Sequence, residues 1–226
     1  MAKQGVFLVI DGTDGSGKGT QTALAIERLT AEGQKVKMVD FPQYGNGSAW
    51  FVEKYLRGEY GSLDEVGPYK ASLFYALDRF DKATEIREWL AEGWVVIANR
   101  YVSSNIGHQA GKIADPVERQ KFLVWLLDLE FGMLNIPQPD AVIILFMPPA
   151  VGQKLVDQKS AREYTQGKKR DIHEADLQHL EKASQAYLEV AKQYGWTVID
   201  CADGDTPKSI PVIHEQVAAA IKKLIV

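Results

Sequence analysis

An α/β fold, with a five-stranded parallel sheet flanked by helices, is what this sequence predicts, and three observations carry the expectation. The apolar run Val6–Ile10 breaks at Asp11-Gly12 into a glycine-rich turn and then into a helical pattern. A second apolar stretch, Val36–Val39, completes strand, helix and strand within about 35 residues, the spacing of a βαβ unit with parallel strands. Three more apolar runs, Trp94–Ala98, Ala141–Met147 and Trp196–Ile199, alternate with helical patterns and supply the remaining strands. Ligands of such sheets sit beyond the C-terminal ends of the strands, so the residues placed there are the first to consider for function.

The glycine-rich turn is the most informative stretch. From Gly12 to Gly17-Lys18 it fits G-x-x-x-x-G-K-[ST], except that Gly19 takes the last position and the hydroxyl arrives one residue later, on Thr20. Gly12, Thr13, Asp14, Gly15, Ser16, Gly17, Lys18, Gly19 and Thr20 are therefore the expected ATP-binding loop. Glycines let successive N–H groups point at phosphate oxygens, the following helix adds the positive end of its dipole, and Lys18 adds a mobile charge. The turn follows a strand-like run and opens a helix, which is the context this motif requires.

The other elements follow in order. Gln21–Glu32 places Leu24, Ile26 and Leu29 among charges, an amphipathic helix stopped by Gly33. Val36–Val39 ends at Asp40-Phe41-Pro42, so this strand feeds a loop. Gly45-Asn46-Gly47 is a turn, and Ser48 is expected to cap a short helix running through Leu56-Arg57. Pro68–Ala91 is a long helical stretch rich in Leu73, Phe74, Tyr75 and Leu77 and interrupted by Asp78-Arg79. Trp94–Ala98 is uniformly apolar and carries Asn99-Arg100-Tyr101 at its C-terminal end.

Lys121–Asn135 is a further expected helix, with Phe122, Trp125, Leu126, Leu129 and Met133 at helical spacing. That stripe is either core or, where exposed, a dimer face. Pro139-Asp140 introduces the strand Ala141–Met147, Pro148-Pro149 ends it, and a short helix runs to about Val156. Residues from Asp157 to Arg170 are too rich in Lys, Arg, Gly and Gln for the core. Ile172–Tyr194 reads as an amphipathic helix with Leu177, Leu180, Tyr187, Leu188 and Ala191, and Pro207–Val226 as a C-terminal helix after the last strand. There is no internal repeat and no linker composition, so residues 1–226 are expected to form a single domain.

Of the 226 residues, 46% are apolar and 25% charged, with a formal net charge of -4, as in an ordinary globular protein. That charge argues against a broad surface tracking nucleic acid. The one cysteine, Cys201, excludes an internal disulfide and suits a reducing compartment as a small buried residue. No stretch has the parts of a signal peptide or the length of a membrane span, so a cytoplasmic protein with no membrane partner is expected.

A phosphate loop needs a partner site. Phosphoryl transfer asks for position and positive charge, and an acceptor phosphate, with a second pKa near 6, is already an anion that needs no strong base. A kinase of this kind therefore needs arginines besides the loop lysine. Arg100 fits, because a strand so apolar has no packing reason to end in arginine. Arg79 fits too, with intrahelical pairing to Asp78, Asp81 or Glu85 as the competing reading. A basic flap over about residues 157–171, containing Arg162, Lys168, Lys169 and Arg170, is able to close over ATP and bring a guanidinium to the transferring group; as a bare charge run it is a solvated face.

Five motifs now resemble those of the thymidylate (dTMP) kinases in order and rough spacing: Gly12-Thr-Asp14-Gly-Ser-Gly17-Lys18, Phe41-Pro42-Gln43-Tyr44, Leu73-Phe-Tyr75-Ala-Leu-Asp78-Arg79, Arg100-Tyr101-Val-Ser-Ser104-Asn105 and Asp171-Ile-His-Glu174. The bacterial form with F-P-x-Y-G and R-Y-V-x-S-N is the most similar, over about Phe7 to Tyr187. The resemblance implies a P-loop kinase of the nucleoside monophosphate type with a flexible lid, using Mg²⁺ and ATP as co-substrate, and forming a homodimer. It also implies a dTMP site. There Asp14 contacts the sugar or the Mg-bound phosphates; Phe41, Pro42 and Leu56 wall the pocket; and Tyr44 lies beside the sugar. Tyr75 stacks on the base, Arg79 reaches its carbonyl and Arg100 holds the phosphate. Ser104, Asn105 and Gln109 complete the set, with His108 among them. Gly15 leaves the loop without an arginine of its own, so the catalytic arginine is expected from the lid, Arg170 first and Arg162 second.

The sequence also departs from that pattern. Asn99 stands where most relatives carry an acid, and Gly19 removes a hydroxyl that many phosphate loops give to the metal. Asp11, Asp14, Asp171 and Glu174 remain as oxygen donors for Mg²⁺, directly or through water. His108 replaces a usual tyrosine and Ala110 a glycine, which bears on base and sugar preference. The competing functions are a kinase for another nucleoside monophosphate such as dUMP, and a non-catalytic P-loop nucleotide-binding regulator. The second, acceptor-like set of Tyr75, Arg79 and Arg100 speaks against the regulator.

Overall fold

A computed structural model describes residues 5–157 and 176–225. Strand β1 (Val6–Gly12) leads into helix α1 (Lys18–Ala31) and strand β2 (Val36–Asp40). A single 3₁₀ turn, Gly47–Ala49, precedes α2 (Trp50–Leu56) and the long α3 (Leu63–Ala91). Then come β3 (Val95–Asn99), α4 (Val102–Ala110), α5 (Pro116–Leu127) and a π-helical turn, Asp128–Met133. Strand β4 (Ala141–Phe146) and α6 (Pro149–Asp157) lead to α7 (Leu177–Tyr194) and β5 (Thr197–Asp200). A small hairpin, β6 (Ala202–Asp203) and β7 (Thr206–Pro207), precedes α8 (Ile210–Ile225).

Five strands form one parallel sheet in the order β2-β3-β1-β4-β5, as the apolar runs predict. Helices cover both faces, so the central strand is buried along both of its sides: Phe7, Leu8, Val9 and Ile10 are all fully buried. The two-residue alternation of a strand then divides them. Phe7 and Val9 join Val96, Val142 and the α3–α5 and α7 side chains Ile86, Ile106, Phe122 and Tyr187 in one core. Leu8 and Ile10 face the other way, with Ile97 and Leu145, onto Ala25, Leu29, Val217 and Ile221 of α1 and α8.

Several elements differ from expectation for identifiable reasons. The expected Pro68–Ala91 helix is preceded by a short helical turn from Leu63, started by a reciprocal capping box of Ser62 and Glu65. Helix α3 runs across a kink between the two, where Gly67 (φ 72°, ψ 169°) is non-helical in front of Pro68. Ser48 does not cap α2, because its Oγ donates to Asp78 Oδ1 at 2.7 Å. Helix α5 starts earlier than Lys121, at Pro116 with Asp115 as its cap, and gives way to π-helical turns at Asp128. Its apolar stripe is largely core: Phe122, Leu126 and Leu129 are buried and Trp125 partly so, while Met133 is open to solvent. Helix α4 and the β6–β7 hairpin have no counterpart in the expected elements, and the hairpin takes up Pro207, so α8 begins at Ile210. The lid stretch lies outside the described residues beyond Asp157.

Candidate active site

The phosphate loop connects the buried β1 to α1, and its shape follows from where it must pack. Gly15 sits at φ 76° with its backbone against α6, and a Cβ there would lie 2.3 Å from the Gly152 carbonyl oxygen. No side chain fits, which accounts for a loop without an arginine at that point. Thr13 turns away from the loop's mouth and bonds β4's end, donating to the Met147 carbonyl at 2.8 Å and accepting from its N–H at 2.7 Å. Gly17, at φ 84°, caps α1 without a side chain, so no cap side chain takes up the first-turn N–H groups. The buried Ser16 Oγ has no partner among the described residues. Lys18 is buried over the loop, donating to the carbonyls of Gly12 at 3.1 Å and Thr13 at 2.8 Å. A curved N–H surface with an ammonium across its mouth is a site for polyphosphate.

Arg100 stands at the end of β3 in the left-handed region, φ 66°, a conformation a non-glycine residue adopts only when its surroundings demand it. That turn carries its guanidinium to the loop. One nitrogen donates to Asp14 Oδ1 at 2.6 Å, and the other reaches Ser104 Oγ at 3.3 Å and His108 Nε2 at 3.5 Å. Burial works against the Asp14 carboxylate, yet Arg100 and Lys18 hold it well below the usual range, so it is ionised at neutral pH. Because a guanidinium only donates, His108 accepts at Nε2 and its Nδ1 carries the hydrogen toward His179 Nε2, 3.4 Å away. Both histidines are neutral: burial pushes His108 well below its ordinary range and His179 down to about 4.

Beneath the loop, Asp11 is fully buried and surrounded by neutral donors. Its oxygens accept from Gly12 N–H at 2.8 Å, Ser103 Oγ at 2.5 Å, Ser104 Oγ at 2.9 Å and Tyr187 OH at 3.1 Å. These bonds occupy both oxygens, so Asp11 organises the loop, α4 and α7 and is not open to a metal ion as the sequence suggested. Among the described residues no three His, Cys, Asp or Glu side chains come together as a metal cluster.

The acceptor-side residues are gathered by α3 and α4, several of them around a second buried carboxylate. Arg79 forms a two-point pair with Glu130, Nε to Oε2 at 3.1 Å and Nη2 to Oε1, and donates to the Tyr101 carbonyl at 3.4 Å. The expected intrahelical partners of Arg79 are not used. Among the described residues three of its five N–H groups are engaged, one each on Nε, Nη1 and Nη2. Asn105 Nδ2 bonds the Ser72 carbonyl at 3.2 Å and Glu130 Oε1 at 3.4 Å. Gln109 is buried nearby on the same helix with its Oε1 unpartnered among the described residues. Tyr75 is half-buried one turn from Arg79, its ring edge-on to Tyr55 at 6.3 Å.

Two of the expected pocket walls pack into the core. Phe41 packs against Tyr101 with ring centroids 5.6 Å apart, and Leu56 lies among Val52, Tyr55 and Val66. The loop between them is pinned by Asp78, whose carboxylate accepts from Gln43 N–H at 2.9 Å and Ser48 Oγ at 2.7 Å; burial raises its pKa, and these donors oppose the rise. That leaves Pro42 partly buried and Tyr44 exposed beside the cleft. Arg162, Arg170, Asp171 and Glu174 lie outside the described residues.

Sequence reasoning missed Glu130, Tyr187 and His179 as parts of the site. An acid inside the otherwise apolar Leu126–Met133 stretch was the available signal for Glu130. Tyr187 and His179 carried none, since each sits where a helix face is expected to be core.

A phosphate loop at the end of a central parallel strand, faced by a partly buried arginine from the neighbouring strand's end, defines a P-loop phosphotransferase acting on a nucleotide. The comparisons with known proteins are of the same kind. Residues 10–208 match the family model described as thymidylate kinase. The chain is 31% identical over 195 residues to the thymidylate kinase of Mycobacterium tuberculosis, covering 84% of this chain and 87% of that one. It is 26% identical to the enzyme of Plasmodium falciparum, over 98% of this chain and 92% of the other. In structure it resembles thymidylate kinase from Candida albicans, with a TM-score of 0.72 over 99% of this chain and 93% of that one at 21% identity, which bears on the fold. The chain belongs to the thymidylate kinase family and is an ATP-dependent phosphotransferase.

Proposed function

We propose that the chain transfers the γ-phosphoryl group of Mg·ATP to dTMP, giving dTDP and ADP. The observation that carries this reading is the left-handed Arg100, 2.6 Å from Asp14, because it sets an acceptor-phosphate arginine against the donor-phosphate loop. An oxygen of the dTMP phosphate attacks the γ-phosphorus; the bond to the β,γ-bridging oxygen breaks and ADP leaves with those electrons. No base is needed, since that phosphate is already largely deprotonated at neutral pH. Lys18 and the loop N–H groups hold the donor phosphates, and Arg100 exchanges Asp14 for the incoming phosphate. Tyr75, Arg79, Ser104, Asn105, His108 and Gln109 address the base and sugar, with Tyr44 beside the ribose. Arg170 and Arg162 are the proposed lid cations.

The site's oxygen donors and loop suit Mg²⁺ bound with ATP, which supplies charge neutralisation at the β- and γ-phosphates. Asp14, Asp171 and Glu174 are the residues proposed to hold it, through water or directly. A cytoplasmic homodimer completes the proposal. Leu73, Leu77 and Phe80 form an exposed apolar stripe on α3 at positions i, i+4 and i+7, a better-placed face than α5, and sedimentation velocity reads the oligomeric state.

The test is ADP production from ATP with dTMP, dUMP and the other monophosphates offered in turn, with and without Mg²⁺. Turnover should be highest with dTMP and fall by at least about a hundredfold in Arg100→Ala. Faster turnover with dUMP, or a fully active Arg100→Ala, would overturn the acceptor assignment.

A further inference from the structure

At the C-terminal ends of β2 and β3 a carboxylate and a carboxamide face each other. Asp40 and Asn99 are partners in the parallel ladder, and Asn99 Nδ2 donates to Asp40 Oδ1 at 2.9 Å. The Phe41 N–H bonds the Asn99 backbone carbonyl at 3.1 Å, so the two strand ends are held in register at this point. Asn99 Oδ1, by contrast, is buried and has no hydrogen-bond partner among the described residues. A buried carbonyl oxygen left in that condition costs stability unless something else uses it.

The pair belongs to the neighbourhood of the phosphates. Residue 100 follows directly, and the Asp40 carboxyl, raised by burial, is pulled back by the positive charges of Arg100 and Lys18. The other described carboxylates of the site carry more side-chain partners than Asp40 does. Asp11 is filled by four neutral donors, and Asp14 lies between Arg100 at 2.6 Å and Lys18 at 3.7 Å. Asp40 accepts from one side chain alone among the described residues, the amide of Asn99.

We propose that Asp40 and Asn99 Oδ1 together form a further oxygen site, in addition to the carboxylates proposed above, that accepts hydrogen bonds from the water shell of the divalent cation that accompanies ATP. Mg²⁺ dehydrates reluctantly and is held by one or two carboxylates and by phosphates, with several waters kept. One charged and one neutral oxygen, on adjacent strand ends next to the cationic phosphate site, suit acceptors for those waters. The pairing also gives a reason for asparagine at 99. A second carboxylate directly opposite Asp40 would repel it, whereas the amide donates a hydrogen bond and presents its own oxygen. The charge has its place at position 40, on the neighbouring strand. This inference rests on the kinase reading.

The test uses Mn²⁺ as a paramagnetic stand-in, titrated by electron paramagnetic resonance into full-length protein saturated with a non-hydrolysable ATP analogue. Asp40→Asn should weaken Mn²⁺ about tenfold or more, the usual cost of losing an outer-shell partner, while affinity for the metal-free analogue stays within twofold. Asn99→Ala should weaken it by a smaller factor, and the exchange Asp40→Asn/Asn99→Asp should recover most of the loss, which a merely structural role for Asp40 would not produce. Mn²⁺ affinity unchanged in Asp40→Asn overturns the inference; if that variant fails to fold, unchanged affinity in Asn99→Ala overturns it instead. Its failure is separable from failure of the kinase reading. Normal turnover with dTMP and Asp40-independent Mn²⁺ binding sinks only the cation site, and Asp40-dependent binding without turnover on any monophosphate sinks only the kinase.

Discussion

Two fully buried carboxylates organise the two halves of this site, and they are neutralised in different ways. Asp11, under the phosphate loop, is surrounded by a backbone N–H and three hydroxyls, with the Arg100 guanidinium standing off at 3.8 Å. Glu130, under the acceptor side, is matched by the guanidinium of Arg79 and an Asn105 amide. Neutral dipoles fix geometry, so the Asp11 network sets the position of a loop whose working charges, Lys18 and Arg100, lie elsewhere. A charge pair fixes a charge: Glu130 holds the Arg79 guanidinium in place. Removing one member of a buried ion pair strands the other, whereas removing one of several neutral donors leaves the remainder.

The comparison can be broken most directly at Glu130. Glu130→Ala should lower unfolding stability by about 3–5 kcal/mol in urea denaturation, because it leaves Arg79 charged and buried. An unchanged midpoint would mean that Arg79 finds another partner. On the other half, Lys18→Ala should lower kcat by about a hundredfold or more and shift the midpoint less than Glu130→Ala does, since Lys18 belongs to neither fully buried carboxylate's hydrogen-bond set and Asp14 keeps its bond to Arg100. A stability loss as large as that of Glu130→Ala would show the lysine to be structural.

Acid should strain the phosphate-loop side through its histidines. His179 has a folded pKa of about 4 against an ordinary 6.5, and burial depresses that of His108 as well. Between those values the unfolded chain binds protons that the native state refuses, so stability falls as the pH drops from 6.5 toward 4. The slope is up to about 1.4 kcal/mol per pH unit for each histidine. His108→Gln with His179→Gln should flatten it in a series of denaturation curves. The smallest expected effect is that of Tyr187→Phe, which removes one of four donors to Asp11 and should cost about 1 kcal/mol, with Glu130-side properties untouched. A loss as large as that of Glu130→Ala would erase the distinction between the two networks.

Much of the first half was legible in the sequence. The loop is consecutive, its glycines and lysine occupy one strand–turn–helix, and Arg100 announces itself by ending an apolar strand. The acceptor half was legible only as a set of residue types. Tyr75, Arg79, Asn105 and Gln109 were identifiable through the family resemblance, but the carboxylate that holds Arg79 and Asn105 was not, and Phe41 and Leu56 turned out to belong to the core.

The amino-acid sequence by itself determined the parallel sheet, the phosphate loop and the strand-end arginine, because apolar periodicity and glycine spacing act over a few neighbouring residues and need no knowledge of what packs where. Tertiary structure alone decided which buried polar groups meet. Arg79 and Glu130 are 51 positions apart, Asp40 and Asn99 59 apart, and Asp11 and Tyr187 176 apart. A buried carboxylate must find its donors wherever the packed elements bring them, and that choice is made by the order of the strands and the helices laid over them.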